Sequence, residues 1–311
     1  MENRIKNIQK EWQGSAAAFP GREAAGKGFE DEFYKRDPLI RSIWRSAEEF
    51  TGERLTEMCF GRGALPARLA MTALLTHGYS IYMYLEARYG KPPAYLGFSQ
   101  GEFTALTAAG VFSFPDVLRL LASLEERLAD TAEEECMYRF VDLSPEQLAS
   151  CCRMVDPTGE RVCISAYLSD SQNIVSGHDA YVRKTVRLAK QNGARWAIRL
   201  PVGRAFHSPL SRRIQELVNG DFLKMGVSDA AAPVYSCLDG ASSTDGIILR
   251  EKLSRQIAAP LQWQTLIRNL ADSGISSLWE IGPGCTVSGN ARLADDRITG
   301  RWIGTPEDIG V

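Results

Sequence analysis

Charge of one sign, long apolar runs, paired cysteines and histidine are all scarce or missing in this chain, and each shortage excludes something. Its 36 Lys and Arg stand against 38 Asp and Glu, for a formal net charge of −2. Such a balance creates no broad positive field, so no nucleic acid is expected as a partner. No stretch has the apolar length that spanning a bilayer requires, and Met1 to Gly14 is polar and charged rather than of signal-peptide type. The expectation is a cytoplasmic chain with no membrane association.

The seven cysteines are Cys59, Cys136, Cys151, Cys152, Cys163, Cys237 and Cys285. They form no C-x-x-C pair and are odd in number, so neither a disulfide framework nor a metal site is expected. Free thiols suit a reducing compartment. The three histidines, His77, His178 and His207, leave little choice of a catalytic base.

Against these shortages, 311 residues with 44% hydrophobic and 24% charged side chains are ordinary for a globular protein, and enough for a large domain with an insert. A polar lead-in over residues 1–18 is expected to dock or fray. Helical pattern runs from Pro66 to Tyr89, from Gly101 to Ala109 and from Pro115 to Ala132, with a short buried strand at Ala94–Gly97. From Cys136 the order becomes strand, helix, strand, strand, helix, strand, ending at Leu200, which is the split ferredoxin-like motif. Strands and helices then alternate again through the strand Ser277–Ile281 and the turn Gly282-Pro283-Gly284. The expected fold class is α/β. A large α/β subdomain, residues 1–135 and 201–311, would carry a ferredoxin-like insert at 136–200.

The sharpest chemical signal is Gly97-Phe98-Ser99-Gln100-Gly101. This G-x-S-x-G stands after an expected strand and before an expected helix, the setting of a nucleophile elbow. Glycines at −2 and +2 give the turn room, and the helix start offers N–H groups to a developing oxyanion. A serine needs a base. His77 lies mid-helix among apolar residues and reads as structural, and His178 reads as a residue of a solvated turn. His207, in the loop Arg204-Ala205-Phe206-His207-Ser208-Pro209, is the best base candidate, with an exposed loop histidine as the alternative reading.

Several segments, in order, resemble the malonyl-CoA:acyl-carrier-protein transacylase family, which includes acyltransferase domains of polyketide synthases. Phe19-Pro20-Gly21 resembles the start of its F-P-G-Q-G loop. The run Gly97–Glu102 resembles its G-H-S-x-G-E elbow, with Ala109-Gly110-Val111 following at the usual distance. Ser171-Gln172 to Gly177-His178 is similar to S-x-Q-x-V-x-S-G, and Ala205–Leu210 reads A-F-H-S-P-L as the family does. Gln256 through Pro260 to Trp263 resembles Q-x-x-x-P-V-x-W, and Glu280–Gly284 reads E-I-G-P-G. The resemblance covers about residues 16–290.

It implies an α/β-hydrolase-like large subdomain and an acyltransferase acting through an acyl ester on Ser99, with His207 as base. The main-chain carbonyl of Gln256 would orient the imidazole, and the N–H groups of Gln100 and Arg22 would form the oxyanion hole. An acyl thioester would be the donor and an acyl carrier protein the partner. The protein would need no cofactor of its own, because phosphopantetheine comes with the carrier protein or as coenzyme A. A monomer is expected.

Where the chain departs from the family, substrate preference is at stake. Members that take malonyl place an arginine in the helix after the elbow, in an R-L-V-x-x-R-G-like stretch, where it grips the free carboxylate. Counting from Gly110, that position is Leu124; Arg127 one turn on is placed to compensate for it, but reads better as a surface residue paired to nearby acids. A leucine cannot pair a carboxylate. Malonyl is therefore not the expected acyl group. Phe98 replaces the elbow histidine and Leu168 a frequent asparagine, so Phe98, Leu124, Leu168 and Phe206 are the candidate substrate-binding residues. Arg22 and Arg204 are candidates to face a pantetheine phosphate or an acidic carrier protein. The departures favour polyketide or related biosynthesis. Two other readings remain: an acyl-carrier-protein hydrolase with the same serine and histidine, and a non-catalytic scaffold that docks a carrier protein. A generic α/β-hydrolase esterase would need a triad acid, and none stands out before His207.

Overall fold

Residues 16–19 read Ala-Ala-Ala-Phe, and in the computed structural model all four are buried. The structure describes residues 2–61, 65–129 and 134–310. The expected polar lead-in is in fact helix α1 (Glu2–Gln13) followed by strand β1 (Ala16–Phe19), an interior strand of the main sheet. Trp12 explains why α1 docks: it is fully buried, its ring 6.4 Å from Tyr82 and 5.3 Å from Trp279.

The chain continues through α2 (Glu32–Arg36), α3 (Pro38–Thr51), α4 (Leu55–Phe60), α5 (Ala70–Tyr89), β2 (Tyr95–Gly97), α6 (Gly101–Ala108) and α7 (Phe114–Ala129). The expected end of the last helix, Ala132, lies outside the described residues. Helix α5 is apolar nearly all round and is buried accordingly. Its His77 is 2% exposed, with Nε2 3.3 Å from the Glu30 carbonyl oxygen, so its role is structural.

A second body follows: β3 (Glu135–Val141), α8 (Pro145–Val155), β4 (Val162–Tyr167), β5 (Gln172–His178), α9 (Asp179–Gln191) and β6 (Trp196–Arg199). Its antiparallel sheet has the order β4-β5-β3-β6. Ser144 and Gln147 form a capping box that starts α8. His178 closes β5 and is half-buried, instead of standing in a solvated turn.

The period of two along β3 sorts its side chains. Cys136 and Phe140 pack in the core of this small body, whereas Met137 and Arg139 point to the other face. On β4 the pairing shifts between Ile164 and Ala166, so Ile164 stays in the small-body core while Ala166 joins the neighbouring core.

The chain then completes the large body with α10 (Arg212–Phe222), β7 (Val234–Tyr235), β8 (Ser242–Ser243), α11 (Gly246–Gln256), α12 (Trp263–Asp272), β9 (Ser277–Ile281), α13 (Thr286–Ala294) and β10 (Thr299–Ile303). The main sheet has the order β10-β9-β1-β2-β7-β8, parallel except for the β7–β8 pair. Strands Ala16–Phe19 and Tyr95–Gly97 are buried throughout, as parallel strands covered on both faces must be. The two bodies are stitched together where Tyr167 N–H donates to the Leu261 carbonyl and Leu261 N–H to that of Ser165, both at 2.9 Å. No helix among the described residues is long and apolar enough to cross a membrane.

Candidate active site

Ser99 occupies the turn between β2 and α6 with a φ of 56°, in the left-handed region that a serine rarely adopts. The flanking glycines are required by their neighbours. A Cβ on Gly97 would lie 2.1 Å from the Gly101 carbonyl carbon, and one on Gly101 would lie 2.1 Å from the Phe19 carbonyl oxygen. The elbow is thus wedged against the end of β1, and Phe98 N–H donates to that same Phe19 oxygen at 2.9 Å.

His207 meets Ser99 from a loop 108 residues later. Its Nε2 is 2.6 Å from Ser99 Oγ, and its Nδ1 is 2.7 Å from the main-chain oxygen of Gln256. A carbonyl only accepts, so Nδ1 carries the proton and Nε2 presents its lone pair to the serine hydroxyl. The imidazole is 6% exposed. Burial lowers its pKa to about 4, a fall that the Gln256 carbonyl partly opposes. The ring is therefore neutral at physiological pH, as a base must be.

Its loop is fastened from several sides. Ser208 and Ser211 hydroxyls donate to the Ala205 carbonyl at 2.5 and 3.1 Å, and Ala205 N–H donates to a Glu135 carboxylate oxygen at 2.8 Å. Ser176 Oγ donates to the Phe206 carbonyl at 2.8 Å, and His207 N–H to that of Ile257 at 3.0 Å.

Gln100 immediately precedes α6, and Arg22 opens the 3-10 turn Arg22–Lys27. Main-chain N–H groups at such starts have no intrahelical acceptor and carry the positive end of the peptide dipoles. The two turns abut, since a Cβ on Gly21 would lie 2.8 Å from the Phe98 carbonyl oxygen. The side chains are otherwise engaged: Gln100 Nε2 donates to the Met71 carbonyl at 2.9 Å, and Arg22 Nη2 to that of Ala67 at 2.9 Å. Glu102 anchors the elbow helix from behind, accepting from Ser236 Oγ at 2.8 Å and Cys237 N–H at 2.9 Å. Its burial raises its pKa to about 7.

Two clefts reach this pair. One is walled by Met71, Phe103, Leu124, Ile214 and Ile257, with Arg22, Gln100 and Gln256 beside the serine. The other runs between the two bodies along Phe98, Met137, Ile174, Val202 and Leu261, and includes Arg22, Glu23 and Arg139. Phe206 lines both.

The sequence-derived site residues Ser99, His207, Gln256, Gln100, Arg22, Phe98, Leu124 and Phe206 are thus brought together. Leu168 is not with them. It is fully buried at the β4–β5 turn, packed in the same core cluster as Phe98, and lines neither cleft. Its position next to β4 in sequence said nothing about depth. Arg127 ion-pairs with Asp221 at 2.5 Å, the bland reading of that residue. Arg204 Nη2 donates to the Leu128 carbonyl at 2.6 Å.

Beside Leu124, Glu125 turns inward, accepting from Met71 N–H at 2.6 Å and from Thr72 Oγ1 at 2.8 Å, and burial raises its pKa to about 7. Met71, Ile214, Ile257, Glu23 and Arg139 were not foreseen as site residues. The alternation in β3 offered a signal for Arg139, which shares a strand face with Met137; nothing local marked the others.

No family model matches the chain. It is 28% identical over 299 residues to the malonyl CoA-acyl carrier protein transacylase of Bacillus subtilis, covering 94% of each chain. The solved malonyl CoA-acyl carrier protein transacylase of Coxiella burnetii superposes with a TM-score of 0.88 at 25% identity, over 96% of each chain. An acyl carrier protein S-malonyltransferase from Vibrio cholerae shares the fold with a TM-score of 0.88 at 23% identity, over 94% of this chain and 98% of that one.

Proposed function

We propose that this chain, which is similar to malonyl CoA-acyl carrier protein transacylases, is an acyltransferase that carries an acyl group on Ser99 from a thioester donor to an acyl carrier protein, and that the group is not malonyl. The observation that carries this reading is the 2.6 Å contact between Ser99 Oγ and His207 Nε2.

In the first step Oγ attacks the thioester carbonyl as its proton passes to Nε2. The oxyanion is held by the N–H groups of Gln100 and Arg22. Collapse breaks the C–S bond, and the thiolate leaves with the proton from Nε2. The second step mirrors the first. The carrier thiol gives its proton to Nε2, sulfur attacks the ester, and Oγ takes the proton back on leaving. The Gln256 carbonyl holds the positive charge of the transient imidazolium and keeps the ring in register. Its neutrality spares the site a buried carboxylate.

The acyl preference follows from the wall around the serine. Leu124 is 4% exposed and stands with Met71, Phe103 and Ile214. A malonyl carboxylate there would lose its hydration beside Leu124, and Arg22, which also lines this cleft, already donates to the Ala67 carbonyl. A short apolar acyl chain fits the lining. Such a preference favours a role in polyketide or related biosynthesis within a reducing cytoplasm, where the seven unpaired cysteines are at home.

Intact-mass measurement after exposure to a panel of acyl-coenzyme A thioesters tests the reading. The expected result is a mass increase matching a short apolar acyl group, absent in Ser99→Ala. Adding an unloaded carrier protein should move that mass to the carrier. Release as free acid instead would identify a hydrolase, and no adduct with any donor would overturn acyl transfer.

A further inference from the structure

Besides Ser99 and His207, the polar side chains lining the cleft between the two bodies are Arg22, Glu23 and Arg139, and the last two are held in an unusual way. Arg139 rises from β3 and donates through Nη2 to Asn290 Oδ1 at 2.8 Å, while its buried Nε has no partner. Glu23 lies on the 3-10 turn beside the elbow. Its Oε2 is folded over Gly21, where a Cβ would lie 2.7 Å away, and its buried Oε1 has no partner. Arg139 is held at one end by Asn290, and each side chain leaves one buried polar atom unsatisfied: a donor on Arg139 and an acceptor on Glu23.

Unsatisfied buried polar atoms are costly, and a site keeps them where a ligand completes them. An ammonium would be repelled by Arg22 and Arg139, and a free carboxylate would satisfy Arg139 but leave the Glu23 acceptor without a donor. A neutral secondary amide offers what both lack. Its carbonyl accepts from Arg139 Nε–H, and its N–H donates to Glu23 Oε1. The rest of the wall, Met137, Ile174, Val202 and Leu261, suits the methylenes on either side of such an amide.

We infer that Glu23 and Arg139 form an amide-reading subsite, and that this cleft holds an amide-bearing segment of the thioester while the acyl carbonyl meets Ser99. The inference rests on the acyl-transfer reading above. The amide has two possible sources with the same chemistry: the thiol arm of the thioester, or the acyl chain itself. Glu23 and Arg139 act here by binding and take no part in proton transfer.

Three synthetic thioesters separate the possibilities: S-(2-acetamidoethyl) butanethioate, with the amide in the thiol arm; S-pentyl butanethioate, with none; and the S-pentyl thioester of N-acetyl-β-alanine, with the amide in the acyl chain. Each is used with the wild type, Glu23→Leu, Glu23→Gln and Arg139→Met, reading kcat/KM for Ser99 acylation and the thermal midpoint. One amide-bearing probe should outperform the amide-free one by about tenfold or more in the wild type. Glu23→Leu and Arg139→Met should erase that preference, lowering kcat/KM for the preferred amide probe by about tenfold more than for S-pentyl butanethioate, and Glu23→Gln, which keeps an acceptor, should restore part of it. Whichever amide is preferred names the source. Equal use of all three probes by the wild type, or a parallel loss on all three in the variants, would overturn the subsite and leave acyl transfer standing. Absence of any Ser99 adduct would overturn both.

Discussion

Ser99 and His207, which meet through their side chains, also share a backbone conformation: both are non-glycine residues in left-handed geometry, with φ of 56° and 58°. For an L-residue with a Cβ this costs roughly 1–2 kcal/mol, so both halves of the pair are held under strain by what surrounds them. Ser99→Gly and Ser99→Ala remove the hydroxyl alike, but only glycine is relieved of the strain. In equilibrium denaturant unfolding Ser99→Gly should be more stable than Ser99→Ala by about 1 kcal/mol. Neither should form an acyl adduct. Equal stability would mean that the bend is not strained.

The histidine sets the acid limit of the reaction. Burial depresses its pKa to about 4, below the ordinary value of 6.5, so the neutral, active form persists as the pH falls through the usual histidine range. The rate of Ser99 acylation under kcat/KM conditions should fall less than about twofold between pH 7.5 and 5.5, where an ordinary imidazole would cost about tenfold. The decline should come as the pH approaches 4. A midpoint near 6.5 would show a solvated ring and a different base environment.

Gln256 acts through its main chain, because the His207 Nδ1 proton goes to its carbonyl oxygen. Its side-chain contribution is a long contact from Nε2 to the Ser99 carbonyl at 3.4 Å. Gln256→Ala should therefore keep the acylation rate within about tenfold of the wild type, while His207→Ala should lower it by about a thousandfold or more. A collapse in Gln256→Ala with intact folding would show that the side chain, not the carbonyl, positions the ring.

Legibility in the sequence tracked how local the cause was. The elbow was readable because Gly97 and Gly101 answer a steric demand confined to a few residues, and the ferredoxin-like insert because its alternation and the Ser144 cap are local too. Phe19-Pro20-Gly21 reads as a strand end running into a turn, but the reach of that strand back to Ala16 was not legible, because three alanines have no strand-like period; only the sheet around them makes them a strand. Leu168 was misplaced because sequence gives which residue follows a strand, not whether it faces a cleft or a core. Glu23 and Arg139 lie 116 positions apart in the chain. Their meeting in one cleft is a product of the two bodies packing together.

In the proposed function Leu124 sets the acyl preference. It stands in the apolar wall beside Ser99, followed by Glu125, whose carboxylate is occupied by Met71 N–H and Thr72. An arginine at 124 would place a guanidinium where a malonyl carboxylate could take two charge-assisted hydrogen bonds. Glu125 would compete for it, so Leu124→Arg alone should be a weaker switch than Leu124→Arg with Glu125→Gly. Single-turnover loading from malonyl- and butyryl-coenzyme A, read by intact mass, measures the ratio of rates. The wild type should favour butyryl, and the double variant should move the ratio toward malonyl by about tenfold or more. Burying the new cation should also lower the thermal midpoint, so the ratio, not the absolute rate, carries the test. Efficient malonyl loading by the wild type would mean that another cation takes the carboxylate and that Leu124 does not set the substrate.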